Sequence, residues 1–334
     1  MKAIVVEEFG GPDRLVMKAV PTPEPKAGFV LIKIRAFGLN HAEMYMRRGD
    51  WAEAMPIIGI ECVGTVAACP GSEFQLGTAV VSLMGGLGRT INGSYAEYTN
   101  ASVATVVELG TVDSLPLPWD QLAAIPETYA TAWTCLFQNL ELRAGQTLLV
   151  RGATSALGKA AVKLAVNKGV KVFATTRKAQ RHNELIALGV ERVEQEGPGL
   201  PERLSIACHK PSKFDAVLEL IGNSTLLESL TVIRRGGRLC LAGFLGGLEP
   251  IVDFNPLLQM ASGVHFSFFG SFVYGTLEFP LADVPLLEIF QTVADGKIEE
   301  KPVRVFRFEE KEIREAHRAM EGSAANGKMV VLVD

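Results

Sequence analysis

Leu148-Leu149-Val150-Arg151-Gly152-Ala153-Thr154-Ser155-Ala156-Leu157-Gly158 reads as a buried strand that runs into a turn of small residues and then opens a helix. Small residues let a ligand's phosphates approach the backbone. The first turn of the helix offers N–H groups without intrahelical partners and the positive end of its dipole. The common dinucleotide fingerprint has three glycines; here Gly152 and Gly158 keep the outer places and Ser155 takes the middle one. A tightly packed strand–helix turn with no ligand would read the same way, so the surrounding sequence has to decide.

Outward from this stretch, the pattern alternates. The spacing predicts strands over 146–151, 170–175, 214–220, 237–242 and 264–268, with helices over 156–167, 179–188 and 224–234. Alternation at this pitch implies a parallel sheet covered on both faces, a doubly wound α/β fold. Just upstream, Leu122, Ile125, Ala130, Trp133, Leu136, Phe137 and Leu140 fall at helical spacing, and the change of pattern lies near 116–120. The first hundred residues read as β-rich, with strands over 1–7, 29–36, 63–68 and 79–83. Pro21, Pro23 and Pro25 make an extended link, and Gly85, Gly86, Gly88 and Gly93 mark a mobile loop. The tail returns to mixed signals: helix over 284–294, strand over 303–306, amphipathic helix over 309–321 and strand over 329–333.

A chain of 334 residues exceeds one ordinary core, so two domains are expected. With 48% hydrophobic and 21% charged residues, the composition is globular. The net charge of −4 and the lack of a basic stripe argue against nucleic acid. The opening Met1-Lys2-Ala3-Ile4-Val5-Val6-Glu7-Glu8 lacks the apolar stretch of a signal peptide, and no apolar run approaches a membrane span. Cys62, Cys69, Cys135, Cys208 and Cys240 are odd in number and loosely spaced. That argues against a disulfide framework and for small buried side chains in a reducing cytoplasm.

The second strand of the alternating region ends Phe173-Ala174-Thr175-Thr176-Arg177-Lys178, with Arg181 one turn onward. An NAD site places an acid there to accept from the ribose 2′-OH. Here two hydroxyls and two cations stand in its place, and a guanidinium binds a 2′-phosphate that a carboxylate would repel. The expected cofactor is therefore NADPH.

Three further segments complete the pattern: Gly38-Leu39-Asn40-His41-Ala42-Glu43-Met44-Tyr45-Met46-Arg47-Arg48-Gly49, then Pro56-Ile57-Ile58-Gly59-Ile60-Glu61-Cys62-Val63-Gly64, then Gly93-Ser94-Tyr95-Ala96-Glu97-Tyr98. In order and spacing the chain resembles the medium-chain dehydrogenase/reductase superfamily, and within it the zinc-independent quinone oxidoreductase branch that includes zeta-crystallin. Gly93 to Tyr98 and Ala174 to Arg177 carry the branch-level likeness, which runs from the opening strand to Gly327-Lys328. The resemblance implies a Rossmann domain over 119–269, inserted into a β-rich GroES-like catalytic domain formed by 1–118 and 270–334. It also implies a cleft between the two and a homodimer. Zinc-dependent relatives place a cysteine where Asn40 stands and a histidine where Ile60 stands. They also carry four close cysteines in the region corresponding to 83–100, where this chain has none. No metal is therefore expected.

Without a metal to polarise an alcohol or carbonyl, the remaining chemistry is hydride delivery to an acceptor that is already electrophilic, a quinone or an activated enone. The resemblance places Asn40 and Tyr45 at the acceptor. Tyr45 reads as a hydrogen-bond or proton donor, or as a core aromatic with a satisfied hydroxyl. Trp51 stands where relatives often have a tyrosine; indole is no acid, so enoyl thioester reduction is in doubt, while stacking on a flat ring is open to it. Cofactor contacts implied are Thr131; the turn Gly152, Ala153, Thr154, Ser155, Ala156, Leu157 and Gly158; Thr175, Thr176 and Arg177; Gly222 and Asn223; Ala242, Gly243 and Phe244; Phe268, Phe269 and Gly270; and Lys328. The leading expectation is a quinone reductase. An alkenal or enone double-bond reductase, and a low-turnover NADPH-binding structural or sensor protein, are the alternatives.

Overall fold

The structure is a computed structural model that describes residues 1–334 apart from 52, 208–212 and 323–324. Cys208 lies outside the described residues. In chain order the elements begin β1 (Lys2–Val6), β2 (Leu15–Ala19), β3 (Phe29–Leu39), α1 (His41–Arg48), β4 (Glu61–Ala68), β5 (Ala79–Leu83), β6 (Tyr98–Ser102), β7 (Val106–Gly110), α2 (Trp119–Leu122) and α3 (Pro126–Trp133). They continue β8 (Thr147–Arg151), α4 (Ala156–Asn167), β9 (Lys171–Thr176), α5 (His182–Ala187), β10 (Arg192–Gln195), α6 (Leu200–Ala207), β11 (Phe214–Glu219), α7 (Asn223–Thr231), β12 (Ile233–Leu241), α8 (Pro256–Gln259) and β13 (His265–Phe268). The chain closes with α9 (Leu286–Ala294), β14 (Arg304–Arg307), α10 (Glu310–Glu321) and β15 (Met329–Leu332).

The chain forms two compact units, one of Met1–Ala130 with Ser271–Asp334 and one of Thr131–Gly270. In the second, six strands lie in the order β10-β9-β8-β11-β12-β13, all parallel. Leu148, Leu149, Val150, Val172, Ala174, Val217, Leu218, Leu239 and Cys240 are buried. Strands covered on both faces become unbroken apolar runs, which is why the alternation was legible. The order steps outward from β8 on both sides, β9 one way and β11 the other. Such a switch point gathers the loops after the strands at one edge.

The first unit holds a seven-stranded sheet, β14-β15-β3-β4-β5-β7 with β6 also paired to β3, and a separate β1-β2 hairpin. The long β3 is its spine: β15 and β4 lie antiparallel to it, and Ile32, Ile34 and Phe37 are buried. Against this sheet, α10 buries Ile313, Ala316, His317 and Met320, one stripe at helical spacing.

Two expectations change here. Residues 119–130, assigned to the inserted domain, pack in the first unit. The Glu127 N–H donates to the Glu61 carboxylate (2.8 Å), the Tyr129 hydroxyl to Glu300 (2.6 Å) and the Tyr274 hydroxyl to the Ala130 carbonyl (2.8 Å). These partners are remote in sequence, so periodicity placed the boundary too early. The glycine-rich segment after β5, expected as a mobile loop, is pinned. The Gly88 N–H donates to Ile91 O (2.8 Å), the Met55 N–H to Gly88 O (2.9 Å), and Leu87 is buried.

Candidate active site and cofactor turn

In the second unit, β8 ends at Arg151 and the chain turns at Gly152, whose φ of +79° suits glycine. A Cβ on Gly158 would stand 2.5 Å from the Gly152 carbonyl oxygen and 2.7 Å from the Ala153 Cα, so only glycine lets α4 start this close to β8. Ser155 explains its own place in the fingerprint. Its hydroxyl donates to Gly152 O (2.9 Å) and accepts from the Gly158 N–H (3.0 Å), which makes it the N-cap of α4. The N–H groups of Ala156 and Leu157 belong to the first turn, where no intrahelical acceptor exists. The turn therefore fits a pyrophosphate.

Beside it, Thr175 and Thr176 end β9 buried, while Arg177 and Lys178 are exposed. Glu196 enters from the end of β10, but its carboxylate is bound to Arg151. At the ends of the next strands lie Gly222 and Asn223, then Ala242, Gly243 and Phe244, then Phe268, Phe269 and Gly270. A Cβ on Gly222 would meet Gly243 O at 2.9 Å, and the Phe244 and Phe268 rings are 6.2 Å apart. The Asn223 side chain donates to Glu249 O (2.7 Å), so it orders a loop. Thr131 opens this unit, buried within α3.

Sequence reading missed the ionic group beneath this edge. Arg151 is buried, bonded to Glu196 and Glu228 (2.8 Å) and 3.8 Å from Glu219. Glu219 accepts from the N–H groups of Ile221 (2.8 Å) and Gly222 (3.1 Å), which shapes the turn after β11. Burial opposes the charge on Arg151, but the three carboxylates outweigh it and raise its pKa. The available signal was an arginine and a glutamate closing otherwise apolar strands.

In the first unit, Asn40 precedes α1, and its backbone N–H donates to the Glu43 carboxylate (2.6 Å). The Asn40 amide is committed. Its Nδ2 donates to Glu61 (2.9 Å) and Glu43 (3.3 Å), and its Oδ1 accepts from Lys328 Nζ (2.5 Å). Lys328 also bonds Glu61 Oε1 (2.5 Å) and is buried, in the same unit as Asn40. A Cβ on Gly38 would stand 2.3 Å from Glu61 Oε1 and 2.5 Å from Lys328 Cε, so this glycine admits the ion pair. Burial pushes the Glu43 carboxyl up to about 8; Lys328 opposes this, Glu61 adds to it and the Asn40 hydrogen bonds oppose it.

Tyr45, half-buried on α1, stacks on Trp51 with ring centroids 6.2 Å apart and planes at 17°. Burial raises the Tyr45 phenol pKa, against Arg48 and with Asp50, so the hydroxyl stays protonated as a donor. The structure thus brings Tyr45 and Trp51 together, and joins Asn40 to Lys328 rather than leaving its amide open.

Comparison with known proteins agrees with this layout. Residues 26–111 match the family described as Alcohol dehydrogenase GroES-like domain, and residues 156–288 the family described as Zinc-binding dehydrogenase. The human quinone oxidoreductase is 30% identical across 100% of this chain and 98% of its own. The chain belongs to the quinone oxidoreductase branch of the medium-chain dehydrogenase/reductase superfamily. Among solved structures, a mycobacterial protein complexed with NADPH superposes with a TM-score of 0.85 at 26% identity, covering 99% of each chain. An NAD-dependent alcohol dehydrogenase superposes with a TM-score of 0.83 at 26% identity, covering 100% of each chain.

The zinc in one family's description finds no donor set in this quinone oxidoreductase relative. Where ligands are expected stand an engaged amide, Asn40, and a buried hydrocarbon, Ile60, and an ammonium is bonded to the neighbouring Glu61. Such a set does not fit Zn²⁺. Among the described residues no group of three or more His, Cys, Asp or Glu is placed to hold a metal.

Proposed function

We propose that this chain reduces quinone-type acceptors with NADPH, binding the cofactor in Thr131–Gly270 and the acceptor against Tyr45 and Trp51. The observation that carries the reading is the turn from β8 to α4, with the neighbouring β9 ending in Thr175, Thr176 and an exposed Arg177. NADPH, when bound, supplies hydride. The first turn of α4 binds its pyrophosphate through N–H groups and dipole. Arg177 binds the 2′-phosphate, and the Glu196 carboxylate at the end of the neighbouring β10 is held by Arg151. The neighbours are divided, one complexed with NADPH and one an NAD-dependent alcohol dehydrogenase. The residues at the end of β9 favour NADPH here.

On the acceptor side, Tyr45 keeps its proton and donates a hydrogen bond to the oxygen where negative charge grows. Trp51 offers a flat ring for stacking. Asn40 is a positioning residue, because its amide is already shared among Glu43, Glu61 and Lys328. A quinone needs no strong acid, which agrees with the lack of a tyrosine at position 51. The exposed edge of β13, with Phe266 and Phe268, supports a homodimer. Five cysteines, odd in number and loosely spaced, support a reducing, cytoplasmic setting. Among the described residues no helix is long and apolar enough to cross a membrane.

Steady-state NADPH oxidation with 1,4-benzoquinone, with an alkenal and with no acceptor tests the reading. Turnover with the quinone well above the alkenal supports it. Turnover confined to the alkenal, or none with either, refutes it.

A further inference from the structure

Arg89 belongs to none of the motifs above, yet it closes the row of rings that begins at Tyr45. Its guanidinium carbon lies 5.9 Å from the Trp51 ring centroid and 5.3 Å from that of Phe272. Tyr45, Trp51, Arg89 and Phe272 all belong to the same unit. The cation does not ride on a loose loop. The Arg89 N–H donates to Gly86 O (3.0 Å), and Leu87 beside it is buried. Its ion partner is Glu53, at 3.0 Å, with the Glu53 side chain 55% exposed and that of Arg89 27%. An ion pair this exposed is weakly held, so another anion can displace the carboxylate. The bond to Glu53 uses one of five guanidinium N–H donors, whose planar fork suits a bidentate oxyanion. A flat acceptor seated beside the Trp51 and Phe272 rings would bring a ring substituent to that fork, where exclusion of water strengthens the attraction.

We propose that Arg89 determines acceptor specificity, selecting planar acceptors that carry an anionic substituent, a carboxylate or sulfonate, on the ring. The inference rests on the reading that Tyr45 and Trp51 face the acceptor. The test compares 1,4-naphthoquinone with 1,4-naphthoquinone-2-sulfonate, by quenching of tryptophan fluorescence and by kcat/KM with NADPH. Wild type should bind the sulfonate more tightly. In Arg89→Met the preference for the sulfonate over the neutral quinone should fall about tenfold, the loss of one charge-assisted hydrogen bond. Arg89→Lys should recover part of it, and Glu53→Gln should raise it severalfold. An unchanged ratio in Arg89→Met, no preference in wild type, or failure of both quinones to bind overturns the proposal. Binding with the expected ratios but no NADPH oxidation would instead count against the reductase reading and leave the Arg89 assignment standing.

Discussion

His317 lies wholly buried on α10, its Nε2 2.9 Å from the Tyr95 hydroxyl and its ring edge-on to that of Tyr95. Burial, reinforced by the positive charges of Arg47 and Arg48, lowers its pKa to about 3. Unfolded, the imidazole titrates near ~6.5. Between these values the unfolded chain binds a proton that the folded chain refuses, so stability falls as pH drops through that window. Glu43 acts in the opposite sense, since its raised carboxyl keeps its proton in the folded state between its unfolded value and about 8. The wild-type curve alone therefore mixes the two. The difference in unfolding free energy between wild type and His317→Gln isolates the histidine, because glutamine keeps a partner for Tyr95. That difference should shift against wild type by about 2 kcal/mol from pH 7 to pH 5, read from urea denaturation. An equal difference at both pH values would mean that His317 takes up its proton in the fold as readily as in the unfolded chain.

The meeting of β8 and α4 depends on Gly158, whose added Cβ would press on backbone at 2.5–2.8 Å rather than on a yielding side chain. Gly158→Ala should destabilise the Thr131–Gly270 unit by about 1–3 kcal/mol, as overpacking does. It should also weaken NADPH binding at least tenfold, because the helix that receives the phosphates must move. Unchanged melting and cofactor affinity would show that the turn has slack. This element was legible because its signals are local: an apolar run, small residues and a cap within eleven positions. β10, Arg192–Gln195, is short and half-polar, and escaped notice. No helix was expected over α1, because its buried face carries Glu43 and Arg47 in place of an apolar stripe. Lys328 is expected at the cofactor, and its bond to Glu61, 267 residues away, gave no local signal. Arg89 gave no local signal either, since its ring contacts come from Trp51 and Phe272.

For the molecule as a whole, the open edge of the six-stranded sheet sets the expected assembly. β13 terminates the sheet with Phe266 39% and Phe268 50% exposed. An unprotected apolar edge is a template for pairing with another strand. A second copy pairing along that edge would give a particle of twice the chain mass. Light scattering after size exclusion should find it in wild type, and Phe266→Glu should shift it toward monomer. A monomeric wild type at micromolar concentration would remove the homodimer from the proposal.

The cofactor decides the account as a whole. A 2′-phosphate carries about two negative charges near neutral pH. Arg177 can meet it with charge-assisted hydrogen bonds worth about 1.5–3 kcal/mol each before solvent screening at this exposed site. The direct measurement is a titration of NADPH and of NADH against wild type and Arg177→Ala. Wild type should prefer NADPH, and the substitution should weaken NADPH binding about five- to thirtyfold, roughly 1–2 kcal/mol, with NADH nearly unaffected. A wild-type preference for NADH, or equal losses for both cofactors, would contradict it.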